Sequence, residues 1–138
     1  MRITRDEYLM DAAKLAAKRS TCLRLNVGAV LARNGRIIAT GYNGSPTGFE
    51  HCTPDTCGPD KPCYATVHAE ANAIYFAARH GIATEGADMY CTDSPCKTCA
   101  EAIINAGIIR FLYLREYRDK DPLRMLYHAG VQVRNYAP

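Results

Sequence analysis

The chain of 138 residues has the length of one domain and can bury a core of its own. Hydrophobic residues make up 48% of it and charged residues 22%, and the formal net charge is +3. This mild positive charge suits a small anionic ligand. With no basic tail or block in the sequence, the composition argues against a protein that tracks a nucleic-acid backbone.

The N-terminal segment, MRITRDEYLMDAAKLAAKRS, is charged throughout and lacks the apolar core of a secretory signal. No other run approaches the length of a membrane span. We therefore expect a cytoplasmic protein that does not associate with membranes. Disulfides rarely persist in that compartment, so the 7 cysteines indicate metal binding or burial rather than a disulfide framework.

The first half of the chain predicts a helix followed by a β-hairpin. Apolar residues recur at helical spacing over residues 4–19. Two strand-like runs, NVGAVLAR and RIIATGYN, flank Asn34-Gly35, which is a strong hairpin signal. A loop rich in glycine, proline, cysteine and aspartate then covers residues 44–65.

The second half alternates helices with strands. A helix over residues 68–80 precedes the strand ADMYCT. Ser94 and Pro95 are suited to the N-cap and the first position of a third helix, which runs to residue 106. The strand IIRFLYL follows, then a short helix from Asp121 to His128 and the strand VQVRN.

This order, α-β-β-α-β-α-β-α-β, predicts one α/β domain over residues 1–138. The hairpin must be antiparallel, whereas each later strand returns through a helix and should pair in parallel. Helices on both faces of a mixed five-stranded sheet would give a three-layer α/β/α architecture.

Two motifs carry ligand chemistry: His68-Ala69-Glu70 and the segment SPCKTC. Cys96 and Cys99 stand three positions apart at the start of a helix, so they share a face near a helix N-terminus that favours thiolates. Two thiolates and one imidazole leave a tetrahedral Zn²⁺ with one position open for water, as in catalytic sites. We therefore predict a zinc site of His68, Cys96 and Cys99.

Glu70 is the residue that a purely structural zinc would not require. Positions i and i+2 of a helix point apart, so His68 and Glu70 converge only if the metal lies over the end of the helix. A carboxylate placed there can take a proton from water and return it to a ring nitrogen and a leaving amine. H-x-E followed by P-C-x-x-C is the signature of zinc-dependent nucleobase deaminases. The alternative is a closed structural zinc beside an incidental carboxylate.

Five segments give the chain a more specific resemblance: VGAV, GRIIATGYNGSPTG, TVHAEANAI, EGADMYCTDSPCKTCAEAIINAGI and REYRD. Together they resemble the deoxycytidylate (dCMP) deaminase family over residues 4–133. The resemblance implies a cytidine-deaminase-like fold and hydrolytic conversion of dCMP to dUMP and ammonia, which supplies thymidylate synthesis. It also implies a homo-oligomer, usually a hexamer, that dCTP activates and dTTP inhibits.

The resemblance also implies roles for individual residues. Glu70 would be the proton shuttle beside the catalytic zinc, and hydroxide would attack C4 of cytosine. Asn43 resembles the asparagine that binds substrate near the sugar, although a turn role would also explain it. Tyr117 resembles the tyrosine that closes over the nucleotide. Arg115 and Arg118 flank it and are candidates for the phosphate, or for an ordinary solvated face.

A nucleotide effector site is implied by the segment GYNGSPTG, whose backbone amides could cradle phosphates. A purely structural role in the hairpin and the following loop would also explain these residues. The candidates are Gly41, Tyr42, Asn43, Gly44 and Gly48.

The remaining cysteines suggest a second, structural zinc. Some dCMP deaminases carry one whose ligands include cysteines resembling Cys22 and Cys52. Adding Cys57 and Cys63 gives four thiolates for a closed tetrahedral site, and His51 is an alternative ligand. Metal-free thiols remain the other interpretation.

Three other functions stay open from the sequence. The same chemistry could act on dCTP, or on both dCMP and dCTP. A deaminase of tRNA or single-stranded nucleic acid is disfavoured by the weak charge. A zinc-stabilised binding module without catalysis belongs to a different class, and in such a module Glu70 would serve no purpose.

Overall fold

A computed structural model describes residues 1–55 and 66–137 of the chain. Within these residues, four helices and five strands follow one another in the order that the sequence predicts. The helices are α1 (Arg5–Ala17), α2 (Ala69–Arg79), α3 (Lys97–Asn105) and α4 (Asp121–His128). The strands are β1 (Gly28–Arg33), β2 (Arg36–Tyr42), β3 (Asp88–Asp93), β4 (Arg110–Arg115) and β5 (Gln132–Asn135).

The five strands form one mixed sheet in the order β2-β1-β3-β4-β5. The predicted hairpin is confirmed: β1 and β2 pair antiparallel, and its turn places Asn34 at φ 53° and Gly35 at φ 75°. β3, β4 and β5 pair in parallel as predicted. The sequence prediction missed one strand pairing: β3 also pairs antiparallel with β1. The chain crosses over β1 after β2, and α2 forms that crossover.

Alternating side chains divide the core between the two faces of the sheet. One face is covered by α2, α3 and α4, with Leu31, Met89 and Phe111 among its buried strand residues. The other is covered by α1, which packs on Val30 and Leu112. The predicted three-layer architecture is therefore confirmed.

α3 begins later than the sequence predicts. Cys96 is its N-cap and Lys97 its first residue, whereas the prediction placed these roles two positions earlier. The prediction was wrong because Ser94 still belongs to the sheet edge: its N–H donates to the Arg115 carbonyl at 2.8 Å. The Ser94 hydroxyl accepts a hydrogen bond from the Tyr117 N–H at 2.9 Å instead of capping the helix.

Two glycines allow helices to lie close to the hairpin. A Cβ on Gly28 would press on the Ala13 carbonyl and lie 2.5 Å from the Ala17 nitrogen of α1. A Cβ on Gly41 would press on the Ala69 carbonyl and lie 2.5 Å from the Ala73 nitrogen of α2. Because real Cβ atoms do not approach backbone so closely, both helices depend on these glycines for their positions.

Among the described residues, no helix combines the length and apolarity that crossing a bilayer requires.

Candidate active site and metal centre

One edge of the sheet collects the ends of several elements. β3 and β4 run parallel and end there, and β1, which runs antiparallel to β3, begins there. The end of β2 and the N-termini of α2 and α3 lie at the same edge. Motifs far apart in the sequence therefore converge on one place.

The three predicted zinc ligands are brought together at this edge. His68 is the N-cap of α2, Cys96 is the N-cap of α3, and Cys99 lies in the first turn of α3. The Nδ1 atom of His68 lies 3.4 Å from each of the two Sγ atoms. Among the described residues, they form the group whose ligand atoms all lie within 4.8 Å of one another.

The spacing of these atoms fits a tetrahedral zinc. Zn–N and Zn–S bonds of about 2.0 and 2.3 Å at a tetrahedral angle separate the nitrogen and sulfur by about 3.5 Å. The observed 3.4 Å separations match that value without any movement of the backbone. His68, Cys96 and Cys99 could therefore hold a zinc ion, as the sequence predicts.

The charges of the ligand set favour a cation. The pKa of Cys96 is lowered because its sulfur accepts hydrogen bonds from the Cys99 thiol and from His68. The same hydrogen bond with Cys96 raises the pKa of Cys99. The pKa of His68 is raised chiefly by its hydrogen bond with Cys96. The thiolate of Cys96 thus lies where a metal cation would bind.

Glu70 lies in the first turn of α2, two residues after His68. Glu70 is only 4% exposed, although its side chain carries a carboxyl group. Burial raises the pKa of Glu70 to about 7. Glu70 lines the same cavity as His68 and Cys96, and it is not part of the ligand group.

The cavity at this edge has a volume of about 300 Å³. That volume is at the lower end of the range for small-molecule sites, roughly 300 to 1,000 Å³. Its walls come from the loop after α1, the ends of β2 and β3, the start of α2 and the segment after β4. The lining residues include Arg24, Asn43, Glu70, Asp93 and Tyr117.

Asn43 lines the cavity and also organises its wall. Its side-chain N–H donates to the Leu25 carbonyl at 2.6 Å, and its Oδ1 accepts from the Val27 N–H at 2.9 Å. Asn34 is the one non-glycine residue with positive φ in the described part of the chain, so Asn43 is not held in a left-handed turn. The carboxamide keeps a second N–H for a ligand.

Tyr117 lies at the cavity with 40% of its surface exposed. Burial of the rest raises the pKa of its hydroxyl. The two arginines that flank it are not among the lining residues. Arg115 donates instead to Asp93 Oδ1 at 2.8 Å and to the Asn26 carbonyl at 3.1 Å.

Sequence reasoning missed Arg24, which is an arginine at the cavity wall. No motif identifies it, because it lies in an irregular loop before β1. The signal available was its place just upstream of VGAV, a segment that resembles the family. Missed as well was Asp93, whose carboxylate is buried at the end of β3.

The predicted effector residues divide between two cavities. Gly41, Tyr42 and Gly44 line a second cavity of about 440 Å³ with residues of α2, whereas Asn43 lines the first. Gly48 is exposed and lines neither cavity. The two cavities thus lie on opposite sides of the end of β2.

The predicted second zinc site lies partly outside the described residues, since Cys57 and Cys63 belong to residues 56–65. Cys22 is buried at the wall of the first cavity, where its sulfur accepts from the Arg24 N–H at 3.4 Å. Cys52 is half-buried and His51 is exposed. The second zinc remains a prediction.

Comparison with known proteins identifies the family. The family model of the cytidine and deoxycytidylate deaminase zinc-binding region matches residues 3–115. The chain belongs to this family. The zinc-binding name agrees with the ligand group of His68, Cys96 and Cys99.

Individual known proteins are similar to this chain over most of its length. ComE operon protein 2 of Bacillus subtilis is 43% identical over 134 residues, which are 96% of this chain and 71% of that protein. Deoxycytidylate deaminase of Schizosaccharomyces pombe is 40% identical over 143 residues, but the chain spans only 44% of that protein's length.

A solved structure of the same family resembles the whole fold. The dCMP deaminase of the cyanophage S-TIM5, in complex with dCMP and dUMP, is similar with a TM-score of 0.86 and 35% identity. The match covers 96% of this chain and 97% of that one. The cytidine-deaminase-like fold implied by the sequence is thereby confirmed.

Proposed function

We propose that this chain is a zinc-dependent hydrolase that converts dCMP to dUMP and ammonia. The observation that carries the proposal is one small cavity lined by the buried Glu70 carboxylate and by two residues of the three-ligand zinc group, His68 and Cys96. The similar cyanophage enzyme, solved with dCMP and dUMP, supports the choice of substrate.

The residues divide the chemistry between them. Zinc held by His68, Cys96 and Cys99 would supply a water of lowered pKa at the cavity. Glu70 can accept one proton of that water and deliver it to N3 of cytosine, and it can then transfer the second proton of the same water to the departing amine.

Three residues at the cavity wall are suited to bind the rest of the nucleotide. Arg24 brings a cation to the wall, and a guanidinium can bind a phosphate through two parallel hydrogen bonds. Asn43 offers a free amide N–H for the sugar. Tyr117 has an exposed ring that can cover the nucleotide. Arg118 does not line the cavity and remains only a sequence prediction for the phosphate.

The second cavity is our candidate for nucleotide regulation, with dCTP as activator and dTTP as inhibitor. Arg79 and His80 line it opposite Gly41 and Gly44. Among the described residues, Ser45 Oγ is the one buried side-chain polar atom without a hydrogen-bond partner, and Ser45 also lines this cavity. A cavity lined by a cationic side chain and by a residue with an unpaired hydroxyl supports an anionic effector.

The homo-oligomer implied by the resemblance, a hexamer, is also part of the proposal. Tyr75 and Phe76 expose 61% and 45% of their surfaces on α2, beside the edge strand β2. Aromatic side chains on an open face suit contact with a second copy. Light scattering measures the mass directly, and a mass of 15.2 kDa in solution would contradict an oligomer.

Cytoplasmic location, supply of dUMP to thymidylate synthesis and the second zinc remain predictions. Zinc analysis tests the last of these, because the proposed centre alone accounts for one ion per chain. Two zinc ions per chain would support the additional site.

The test of the proposal is ammonia release from dCMP, dCTP, deoxycytidine, CMP and a short single-stranded DNA, each with and without dCTP or dTTP. We expect turnover of dCMP, raised by dCTP and lowered by dTTP. Preferred turnover of dCTP would keep the chemistry and change the substrate. No release from any of them by the zinc-loaded chain would contradict the proposed function and favour the binding module.

A further inference from the structure

The ends of β3 and β4 carry an ion pair beside the cavity that the proposed chemistry does not use. Asp93 is 3% exposed and accepts hydrogen bonds on Oδ1 from the Thr92 hydroxyl at 2.8 Å and from Arg115 at 2.8 Å. A buried carboxylate is costly without a cation nearby. The ion pair with Asp93 therefore holds the guanidinium of Arg115 in one position.

The same nitrogen of Arg115 reaches across to the loop before β1. Its Nη2 atom also donates to the Asn26 carbonyl at 3.1 Å. The residues on either side of Asn26 are held by Asn43, which follows β2. Its side chain makes hydrogen bonds with the backbone of Leu25 and of Val27. The loop at residues 20–27 is thus fixed by Asn43 on one side and by Arg115 on the other.

That loop carries Arg24, two positions before Asn26. The described bond of the Arg24 backbone is local, from its N–H to Cys22 Sγ at 3.4 Å. Upstream of Arg24, the Ser20 hydroxyl and the Thr21 N–H donate to the Asn43 carbonyl at 2.9 and 3.2 Å. The position of Arg24 at the cavity therefore depends on Asn43 upstream and on the anchors of residues 25–27 downstream, where Arg115 acts. The two arginines that the sequence suggests for the phosphate, Arg115 and Arg118, do not line the cavity, whereas Arg24 does.

We propose that Arg115, held by the buried Asp93, is a positioning residue that fixes the loop at residues 20–27 and thereby places Arg24 for the substrate phosphate. Arg115 itself makes no contact with the substrate. The kinetic part of this inference rests on the proposed function, because it takes a nucleotide phosphate as the group that Arg24 binds.

The first test needs no turnover. Hydrogen exchange of the peptide covering residues 20–28 is measured in the zinc-loaded wild-type chain and in Arg115→Ala. Arg124→Ala is the matched control, since Arg124 pairs with Asp121 on the exposed face of α4. We expect exchange in this peptide to rise about tenfold in Arg115→Ala alone. Equal exchange in all three proteins would overturn the inference.

The second test compares Arg24→Ala, Arg115→Ala and the double variant with dCMP. Each single change should raise KM about tenfold, and the double variant should exceed Arg24→Ala by less than about twofold, since both act through one contact. If the two effects multiply, Arg115 acts on the substrate independently and the proposal is wrong. Arg115→Lys keeps a charge beside Asp93 and serves if the alanine variant does not fold.

The two tests separate this inference from the proposed function. A wild-type chain that leaves dCMP unchanged would contradict the function, and the exchange result would still decide whether Arg115 fixes the loop. A lower melting temperature with unchanged KM would show that Arg115 only stabilises the fold, and it would overturn the positioning role.

Discussion

The Nδ1 atom of His68 lies 3.4 Å from the Sγ atom of Cys96, although the two residues stand 28 positions apart in the chain. His68 caps α2 and Cys96 caps α3, and the two helices start at the same edge of the sheet. The two side chains are therefore close in space. The fold therefore brings the two ligand atoms to a spacing that suits zinc.

This relationship predicts a reversible loss of activity on metal removal. Chelation should abolish turnover of dCMP while the far-ultraviolet circular dichroism changes little, and added zinc should restore activity. Cys99→Ser should bind zinc at least about tenfold more weakly because a hydroxyl is a poor zinc ligand. Cys91→Ser is the comparison, since Cys91 lies in the core outside the ligand group. Equally weakened zinc binding in both variants would argue against Cys99 as a specific zinc ligand.

Arg24→Ala should discriminate between substrates with and without a phosphate. Loss of a guanidinium contact should raise KM for dCMP about tenfold or more and leave deoxycytidine turnover unchanged. Steady-state ammonia release measures both. The same loss for the two substrates would place Arg24 away from the phosphate. Arg36→Ala, a change in an exposed residue at the hairpin, is the control.

Gly41→Ala should destabilise the fold through α2. The added Cβ would press on backbone atoms of Ala69 and Ala73, and overpacking of this kind costs about 1–3 kcal/mol or more in the free energy of unfolding. Urea denaturation measures the loss. Gly44→Ala is the control because its new Cβ would come no closer than 3.3 Å to its neighbours. Equal stability of the two variants would contradict the close packing of α2.

A polar network between α1 and the sheet should make stability depend on pH. Asp6 accepts hydrogen bonds from Tyr90 at 2.5 Å and from Arg110 at 3.1 Å, and its pKa is lowered chiefly by Arg110. A carboxyl whose pKa is lowered by folding stabilises the fold above its unfolded value, near 3.8, and loses that effect as pH falls through the folded value.

Asp6→Asn should therefore reduce the free energy of unfolding by about 1–3 kcal/mol at pH 7. The difference from the wild-type chain should begin to shrink below about pH 4 and disappear as the pH falls through the lowered pKa of folded Asp6, where its carboxyl is uncharged like the Asn amide. Urea unfolding at several pH values measures it. Asp11→Asn, which alters an exposed pair with Lys14, should cost little at any pH. A pH-independent difference for Asp6→Asn would contradict the network.

The sequence predicts those features that depend on local patterns. Asn34-Gly35 determines its own turn. The zinc ligands and the proton shuttle lie in two short motifs whose residue spacing indicates their chemistry: His68, Glu70, Cys96 and Cys99. The start of α3 was missed because Ser94 bonds to residues of β4, and no local pattern reveals those partners.

The cavity wall depends on contacts between distant residues and could not be predicted. Asn43 acts on a loop 16 and 18 positions earlier, and Arg115 reaches Asn26 across 89 positions. Only the assembled sheet brings these residues together. For the same reason the sequence proposed Arg115 for the phosphate, whereas the structure places Arg24 at the cavity.

The most direct test of the central claim is ammonia release from dCMP by Glu70→Gln, with zinc content measured on the same sample. The account predicts that this variant, of nearly the same shape, keeps its zinc and loses activity by about 10²- to 10⁴-fold, because the proton shuttle is gone. Wild-type activity in a variant that keeps its zinc would contradict the role of Glu70 and with it the proposed mechanism.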